Sequence, residues 1–542
     1  MSIVATLVKS LDFYSTLTSL LILLSSYVFY TTFLYPNYIS PLRNIPGPPN
    51  ISKHNKRNLP FLGLFFDVIR REAGVTFREW TEQYGGILCF KGLFNSQVIH
   101  LADPEAIHHV FNTHAYQYPK PDRVIRVLSS AIGAGLLLVE GDVHRVQRKM
   151  FTPAFSHKSI KQMVPSMAGP AECLEKRIDE SETKSVEMNV FTDITSCTLD
   201  IIGLTGFGFD FEALAKPGNV VVKSIEEYFN QKVPAVVQLL RHFVPYYSKI
   251  PFRHNQVRLQ CVRSVDEAAR KIVCQKREKM ATGKDDGKDL LSIMIRASES
   301  SGNDMLTDDD LRAQIKNSLA AGHETSSVTV TWMLHVLSTR PEVQSKLRQE
   351  FLTHIGRPTD KTSSSSSALA YEALQALPYL NICIKELFRF IPPVPYTSRV
   401  ASQDDNILGY DIPKGTEIQL CPATLHKLKS VWGEDAEEFK PERWMDPSSF
   451  SEEEQQSINF VTPDMVWAYM PFLTGPRSCI GSKLALIEIK VILYYLLIDL
   501  EYAPVPGFKV KKSARITMRP SPGMNLIIKR FEHDVSINPS QT

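Results

Sequence analysis

The sequence predicts a mainly helical body with small β-sheets, placed behind a single N-terminal transmembrane helix. Three observations lead to this prediction. Hydrophobic residues form 43% and charged residues 22% of the 542 residues, which are values of folded globular proteins rather than disordered chains. No charged residue occurs from Phe13 to Leu42. Most of the remaining chain has helical periodicity, interrupted by short runs that are typical of strands.

The N-terminal segment is apolar enough to cross a membrane. Its densest part runs from Leu17 to Tyr35, and about 20 apolar residues at ~1.5 Å per residue span the ~30 Å hydrocarbon core. The run is longer than the apolar region of a cleaved signal peptide, and no clear Ala-x-Ala site follows it. We therefore expect a retained single-pass anchor; a cleaved signal and a buried core helix are the alternatives.

The charges that flank the anchor predict its orientation. Lys9 and the amino terminus precede the apolar run. Four cations follow it: Arg43, Lys53, Lys56 and Arg57. The positive-inside rule then places the C-terminal body in the cytosol. Between the anchor and the body, the prolines from Pro41 to Pro49 favour a stiff, extended spacer.

We expect an anchor, residues 1–42, and one large domain, residues 43–542, joined by a proline-rich hinge at residues 41–50. The longest helix is predicted from Asp308 to Arg340, because Thr307 suits a helix start and Pro341 ends the periodicity. A serine tract, Ser363–Ser367, marks an exposed loop. Four runs are predicted as strands: Ile87–Phe90, Gln97–Leu101, Glu417–Leu420 and Met524–Ile528.

Composition argues against several classes of protein. The formal net charge is only +3, whereas a wholesale nucleic-acid binder normally carries a basic excess. Eight scattered cysteines form no Cys-x-x-Cys pair, so zinc-ribbon and ferredoxin-type sites have no support. This cysteine usage favours a reduced, cytosol-facing body. A cysteine with a chemical role therefore acts alone.

The most informative segment is PFLTGPRSCIGSKL, residues 471–484. It contains five residues at fixed spacing: Phe472, Gly475, Arg477, Cys479 and Gly481. A cysteine just before a helix lies where backbone N–H groups stabilise a thiolate, and neighbouring glycines let a flat ligand approach the backbone. An arginine nearby supplies positive charge to an anionic group. This combination suits a thiolate ligand on a haem iron.

The segment resembles the haem-binding loop of the cytochrome P450 family, F-x-x-G-x-R-x-C-x-G. The resemblance implies a single large haem-thiolate domain that binds haem b, with Cys479 as the axial metal ligand. It also implies that the other four residues of the motif, Phe472, Gly475, Arg477 and Gly481, contact the cofactor. The implied activity is that of a monooxygenase.

A second segment, AGHETS at residues 321–326, interrupts the long helix with unusual residues. Gly322 costs about 1 kcal/mol relative to alanine in a helix interior, so it needs a reason. One interpretation is a threonine bonded back to a carbonyl one turn earlier, with Glu324 exposed. The other is a local opening of the helix for dioxygen. The segment is similar to the family's A-G-x-[D/E]-T-[T/S] motif, which implies catalytic proton delivery by Thr325 and Glu324.

Further matches concern the haem propionates. HRVQRKMF, residues 144–151, is similar to the family's W-x-x-x-R helix, which gives Arg148 a propionate-binding role; His144 stands where the family usually has tryptophan. Arg399, in the segment PPVPYTSR, is implied as a second propionate partner. By the same resemblance, Glu386, Arg389 and Arg443 form a buried charge network that is structural rather than catalytic.

The resemblance also implies partners and a location. The chain contains no nicotinamide or flavin motif, so electrons come from a separate NADPH–cytochrome P450 reductase, with cytochrome b5 as a further candidate donor. We expect a basic docking face formed by Arg145, Lys149, Lys427, Lys429 and Lys483. The body would lie on the endoplasmic reticulum membrane and face the cytosol.

The expected substrate is a lipophilic small molecule, as in fungal members of the family that oxidise terpenoids, sterols or aromatic xenobiotics. The pocket is expected from four mostly apolar segments: 122–138, 213–247, the helix around Ala320, and 394–397. Two alternatives remain at this point. One is a haem-thiolate isomerase or dehydratase, against which the Glu324–Thr325 pair argues; the other is a non-catalytic haem binder, which leaves AGHETS unexplained.

Overall fold

A computed structural model describes residues 2–50, 63–179, 186–216, 250–284, 287–300, 306–357, 369–450 and 460–531, together with scattered residues between 219 and 247. The described chain separates into two compact units. The first consists of residues 1–119 and 396–431, and the second of residues 120–395 and 432–542. The predicted serine loop, residues 363–367, and most of the expected pocket segment 213–247 lie outside the described residues.

The first unit is built around a four-stranded sheet. It begins with helix α1 (Ser2–Phe29), continues as a π-helix (Tyr30–Ile39), and includes helix α2 (Val75–Tyr84). Its strands are β1 (Ile87–Lys91), β2 (Gln97–Leu101), β4 (Thr397–Val400) and β7 (Glu417–Leu420), in the order β1-β2-β7-β4. A separate hairpin consists of β5 (Asp405–Ile407) and β6 (Tyr410–Ile412).

The predicted strands of this sheet are confirmed, and Phe77 of α2 packs against them. Strands β1 and β2 are antiparallel, with Leu88 opposite His100, and β2 runs parallel to β7. Phe77 of α2 stacks on the fully buried His100, with ring centroids 4.7 Å apart. Burial of this imidazole lowers its pKa to about 3, so it packs as a neutral ring.

The second unit is mainly helical. Its longer helices are α3 (Asp122–Ile132), α4 (Gly141–Phe151), α5 (His157–Asp179), α6 (Val190–Ile202), α7 (Arg253–Ala281), α8 (Leu290–Ser300), α9 (Asp308–Ser338), α10 (Pro341–His354), α11 (Pro378–Phe390) and α12 (Ser482–Ile498). A three-stranded sheet has the order β3 (Val186–Asn189), β11 (Asn525–Arg530), β8 (Leu500–Pro504), and β9 (Lys511–Ala514) pairs with β10 (Met518–Ser521).

The long helix α9 confirms the predicted one. The Thr307 hydroxyl accepts the N–H of Asp310, and the Asp310 carboxylate accepts the N–H of Thr307, which is a reciprocal helix cap. Its buried face packs with α6 and α7 in a core that includes Leu199, Ile202 and Leu319. The helix therefore forms the central support of the second unit.

Two described helices are long and apolar enough to cross a membrane. Val190–Phe207 is 78% buried inside the second unit, as a core helix should be. Ser15–Ile39 has a mean hydropathy of 1.7 and is only 6% buried. The N-terminal apolar run is thus one long, exposed helix, which disfavours the buried core-helix alternative.

Candidate active site

The loop before α12 presents Cys479. Gly475 has φ +74°, a conformation that favours glycine, and a short 3-10 turn follows at Gly475–Arg477. The backbone N–H of Cys479 donates to Phe472 O at 2.9 Å, which closes the loop, and Phe472 packs edge-on against Phe388 with centroids 5.2 Å apart. The cysteine therefore lies directly ahead of a helix N-terminus, as the motif predicted.

The environment of Cys479 suits a ligating sulfur. Burial raises the pKa of the thiol, whereas the N–H of Gly481 and the positive charge of Arg148 lower it. Cys479 nevertheless keeps accessible surface. A Cβ on Gly481 would meet only Phe155, at 3.8 Å. The backbone beside the sulfur is thus open to a bulky group.

Helix α4 contributes Arg148 and His144. Nη1 of Arg148 donates to the carbonyl of Ser478 at 2.6 Å, so the guanidinium lies against the residue before Cys479. His144 is buried, and burial, followed by the charges of Lys120 and Arg148, lowers its pKa to about 4. The imidazole is therefore neutral at physiological pH and can donate one N–H.

Arg477 is held by the segment that precedes α4. Its Nη2 donates to Val139 O at 2.9 Å, and its Nη1 forms an ion pair with Glu140. The same Glu140 carboxylate accepts the N–H of Lys120 at 3.2 Å. This acidic partner could not be predicted from the sequence, because Glu140 belongs to no recognised motif.

The second predicted motif lies inside α9, which runs through residues 321–326 without the expected opening. That expectation was wrong. A Cβ on Gly322 would come within 3.0 Å of the Ile202 side chain, so the glycine permits the close approach of α6 instead. The Thr325 hydroxyl donates to Ala321 O at 2.7 Å, which is the back-bonded geometry.

Glu324 is only 2% exposed, so it is not the exposed carboxylate of the back-bonded alternative. Its Oε1 accepts from Nε of Arg519 at 2.5 Å and from the hydroxyl of Thr517. Both partners come from the C-terminal region around β10. Because consecutive helical residues point about 100° apart, the carboxylate and the Thr325 hydroxyl leave α9 in different directions.

Sequence reasoning missed a second buried acid, Glu488 of α12. It is 5% exposed and accepts the Ser326 hydroxyl at 2.6 Å, next to the predicted Glu324–Thr325 pair. Burial raises its pKa to about 8. A glutamate inside a mainly apolar helix was the available signal, since glutamate is almost never buried without a partner.

The charge network implied by the resemblance is present in the second unit. Arg389 forms a bidentate pair with Glu386, at 2.9 and 2.7 Å, and Nε of Arg443 reaches the same carboxylate at 3.1 Å. Nε1 of Trp444 donates to it at 2.9 Å. All three charged side chains are 0–1% exposed, which fits a structural role.

Arg399 belongs to β4 of the first unit. It is 3% exposed, donates to Thr397 and Ser398, and lies over the ring of Phe111 at 5.0 Å. Burial lowers its pKa to about 10. Within the described part of the chain no carboxylate pairs with it, so this buried cation suits the carboxylate of a ligand.

The expected basic docking face needs one correction. Lys427 is only 6% exposed, so it cannot form part of a docking surface. The other four residues, Arg145, Lys149, Lys429 and Lys483, are exposed. Lys427 was misassigned because a lysine in sequence carries no sign of its burial.

The residues at Cys479 fit a haem. The donor set is one sulfur at a helix start with an arginine beside it, and the adjacent backbone is open at Gly481. The sequence matches the family model "Cytochrome P450" over residues 54–527, which is most of the chain. The chain belongs to the cytochrome P450 family. It is therefore an oxidoreductase of the monooxygenase class, and the family implies haem with a cysteine thiolate ligand.

Curated relatives of this cytochrome P450 include several fungal proteins. It is 30% identical to cytochrome P450 monooxygenase sphH of Aspergillus fumigatus, over 86% of this chain and 84% of that protein. It is 31% identical to cytochrome P450 monooxygenase 205 of Postia placenta, over 89% and 90%. It is 29% identical to ganoderic acid synthetase CYP5150L8 of Ganoderma lucidum, over 87% and 90%.

Proposed function

We propose that this cytochrome P450 inserts one oxygen atom of O2 into a lipophilic small molecule, with electrons from NADPH delivered by a separate reductase. Cytochrome b5 is a further candidate donor. The observation that carries the proposal is the position of Cys479, which lies just ahead of α12, keeps accessible surface and has Arg148 beside it. Haem b, when bound, supplies dioxygen activation and oxygen transfer.

The chain's own residues would hold the cofactor by charge and shape. Cys479 provides the thiolate ligand. Arg148, Arg399 and Arg477 provide cations for the propionates, and neutral His144 provides an N–H donor. Phe472, Gly475 and Gly481 fix the loop and leave its backbone open. The domain that holds this site is proposed to be residues 43–542, behind the anchor at residues 1–42.

Proton delivery is assigned to α9. Thr325 holds a proton on Oγ1, and Glu324 is the acid beside it in sequence. Arg519 and Thr517 bind the Glu324 carboxylate and so fix its position. The Glu324–Thr325 pair favours monooxygenation over a peroxide isomerase, which needs no proton donor of this kind.

The substrate class rests on an apolar cavity between α3, α7 and α9. Its walls include Ala131, Ile132, Val262, Val265, Leu319 and Ala320. A cavity with this lining favours a lipophilic ligand over a charged one. Terpenoids, sterols and aromatic xenobiotics are the proposed classes.

The proposed location is the endoplasmic reticulum membrane, crossed once, with the body in the cytosol. The exposed apolar helix Ser15–Ile39 supports anchoring, and the cations that follow it support this orientation. A cytosolic body also gives access to the reductase.

A carbon monoxide difference spectrum of the reduced protein tests the thiolate–haem assignment. Turnover assays with NADPH and reductase, over a panel of terpenes, sterols and aromatics, test the reaction. A thiolate-type band with NADPH-dependent hydroxylation supports the proposal. A protein that binds haem without that band, or that converts a peroxide without reductase, contradicts it.

A further inference from the structure

A hydrogen bond joins helix α9 to helix α12 at the residue that follows Thr325. The Ser326 hydroxyl donates to Oε2 of Glu488 at 2.6 Å, and the two side chains are 1% and 5% exposed. Glu488 lies within the first two turns of α12, and α12 begins just after Cys479. This bond therefore connects the helix that follows the proposed iron ligand with the helix that carries the proposed proton donor.

The carboxyl group of Glu488 has few polar contacts. Among the described residues, its Oε1 has no hydrogen-bond partner and no cation pairs with it. Burial raises its pKa to about 8, so the carboxyl keeps its proton at neutral pH. An apolar residue would serve stability better at such a place, since a buried polar group with a single partner is costly. The bond to Ser326 thus points to a role other than stability.

The position of the Thr325 hydroxyl depends on the backbone of α9. Consecutive helical side chains point about 100° apart, so Ser326 faces α12 while Thr325 faces another direction. The Thr325 hydroxyl donates to Ala321 O at 2.7 Å, a bond inside α9, and the side chain is half-buried. In the described part of the chain no bond from another element holds this hydroxyl. A bond that fixes the backbone next to Thr325 therefore also fixes the hydroxyl.

We propose that Glu488 is a positioning residue for proton delivery: by accepting the Ser326 hydroxyl, it fixes the α9 backbone at Thr325 relative to the helix that follows Cys479. This rests on the proposed monooxygenase function and on the proposed role of Thr325. Glu488 transfers no proton itself and acts through Thr325. A shift of about 1 Å in a catalytic group is enough to impair a reaction that depends on alignment, which is why a buried supporting bond matters.

Ser326→Ala tests the bond in the full-length holoprotein. The assay contains reductase, NADPH and a compound of the terpene, sterol and aromatic panel that the unmodified protein hydroxylates. We expect product per NADPH to fall several-fold and hydrogen peroxide to rise, because O2 then leaves with two electrons and two protons as H2O2 instead of forming product and water. The thiolate-type carbon monoxide band should be unchanged.

Two matched variants accompany Ser326→Ala. Ser327→Ala removes the neighbouring buried hydroxyl, which donates to Glu324 O at 3.0 Å inside α9 and does not reach α12. Ser326→Thr keeps a hydroxyl at the position that faces Glu488. Both variants should keep product per NADPH close to the value of the unmodified protein.

A double variant separates positioning from stability. Ser326→Ala alone leaves the Glu488 carboxyl buried without a partner, so its urea midpoint should fall. Ser326→Ala combined with Glu488→Leu removes both polar groups, so the midpoint should recover, whereas product per NADPH should stay as low as in Ser326→Ala. Glu488→Gln keeps an acceptor oxygen and should keep the coupling. A double variant that recovers both the midpoint and the coupling would overturn the positioning role.

Thr325→Ala tests whether Glu488 acts through Thr325. In a protein that already carries Thr325→Ala, Ser326→Ala should lower product per NADPH no further, because two changes in one pathway are not additive. A further fall would overturn the proposed route. Unchanged coupling in Ser326→Ala overturns the positioning role and leaves the monooxygenase function intact. A holoprotein that hydroxylates no panel compound overturns both.

Discussion

Nε of Arg519 lies 2.5 Å from Oε1 of Glu324, so the acid of the AGHETS motif is bound by a cation close to the end of the described chain. Both side chains are buried. A buried ion pair is expensive to form, but removal of one partner leaves an uncompensated charge. Glu324 is therefore held in place by a residue that belongs to no sequence motif, and this pair leads to the first prediction.

Arg519→Met should lower the free energy of unfolding by about 3 kcal/mol, because it leaves the Glu324 carboxylate buried without its cation. Arg519→Lys keeps the positive charge, so its free energy of unfolding should fall by less. Urea unfolding of the holoprotein measures both. As a control, Lys176→Ala removes a cation from an exposed pair with Glu172 and should leave stability unchanged. Equal midpoints for Arg519→Met and the unmodified protein would contradict the ion-pair role.

Cys479→Ser should abolish the thiolate-type carbon monoxide band and all oxygenase activity, since a serine hydroxyl is a far poorer iron ligand than a thiolate. The reduced carbon monoxide spectrum and a turnover assay measure the two effects. Cys383→Ser, at a buried cysteine of α11, is the control and should keep the band. Normal turnover by Cys479→Ser would refute the ligand assignment.

Thr325→Ala should keep haem and substrate binding but divert electrons into peroxide, because the hydroxyl that holds the proton is removed. The ratio of product to NADPH consumed, together with hydrogen peroxide release, measures this. Thr331→Ala is the control: its hydroxyl makes the same type of bond, to Ser327 O at 2.7 Å, farther along α9. Unchanged coupling in Thr325→Ala would show that the acid–alcohol role is wrong.

Glu488→Gln should flatten the dependence of stability on pH. Burial raises the pKa of Glu488 from 4.5 to about 8, so between these values the folded state keeps a proton that the unfolded state has lost. The contribution of Glu488 to the free energy of unfolding therefore falls as pH rises from about 4.5 to about 8, and it is constant above that range. Urea unfolding at pH 5, 6, 7 and 8 measures this dependence. The free energy of unfolding of Glu488→Gln should rise relative to that of the unmodified protein as pH rises. If the free energies of unfolding of the two proteins changed in parallel with pH, a raised pKa of Glu488 would be ruled out.

An engineered glycosylation site tests the orientation of the body. Ser363→Asn creates a sequon in the loop predicted at residues 363–367. If the body faces the cytosol, the luminal transferase never meets this site, and it stays bare. The natural sequon at Asn50-Ile51-Ser52 should also stay bare, although its closeness to the membrane makes it the weaker test. An endoglycosidase-sensitive mass shift in Ser363→Asn would place the body in the lumen, away from a cytosolic reductase.

Local sequence alone determined the N-terminal apolar helix, the long helix α9 and the cysteine loop. Within the uncharged run, Ser15–Ile39 is one mostly exposed helical segment, and the cap at Thr307 begins α9 where predicted. The glycine at position 475 set the loop that presents Cys479. These features depend on residues within a few positions of one another, so spacing, periodicity and caps are enough to predict them.

Only the tertiary structure decided what these elements touch. Folding pairs Glu324 with a cation in β10, buries Glu488 beside Ser326 and buries Lys427. It also joins the N-terminal apolar helix to the β1–β2 turn, where Asn95 donates to Thr32 O. The structure also showed that Gly322 admits Ile202 rather than opening the helix. Each of these depends on residues far apart in the chain, whose contact leaves no period or spacing in the sequence. Burial then sets their charge and pKa, because the cost of removing a charge from water exists only after the chain has folded around it.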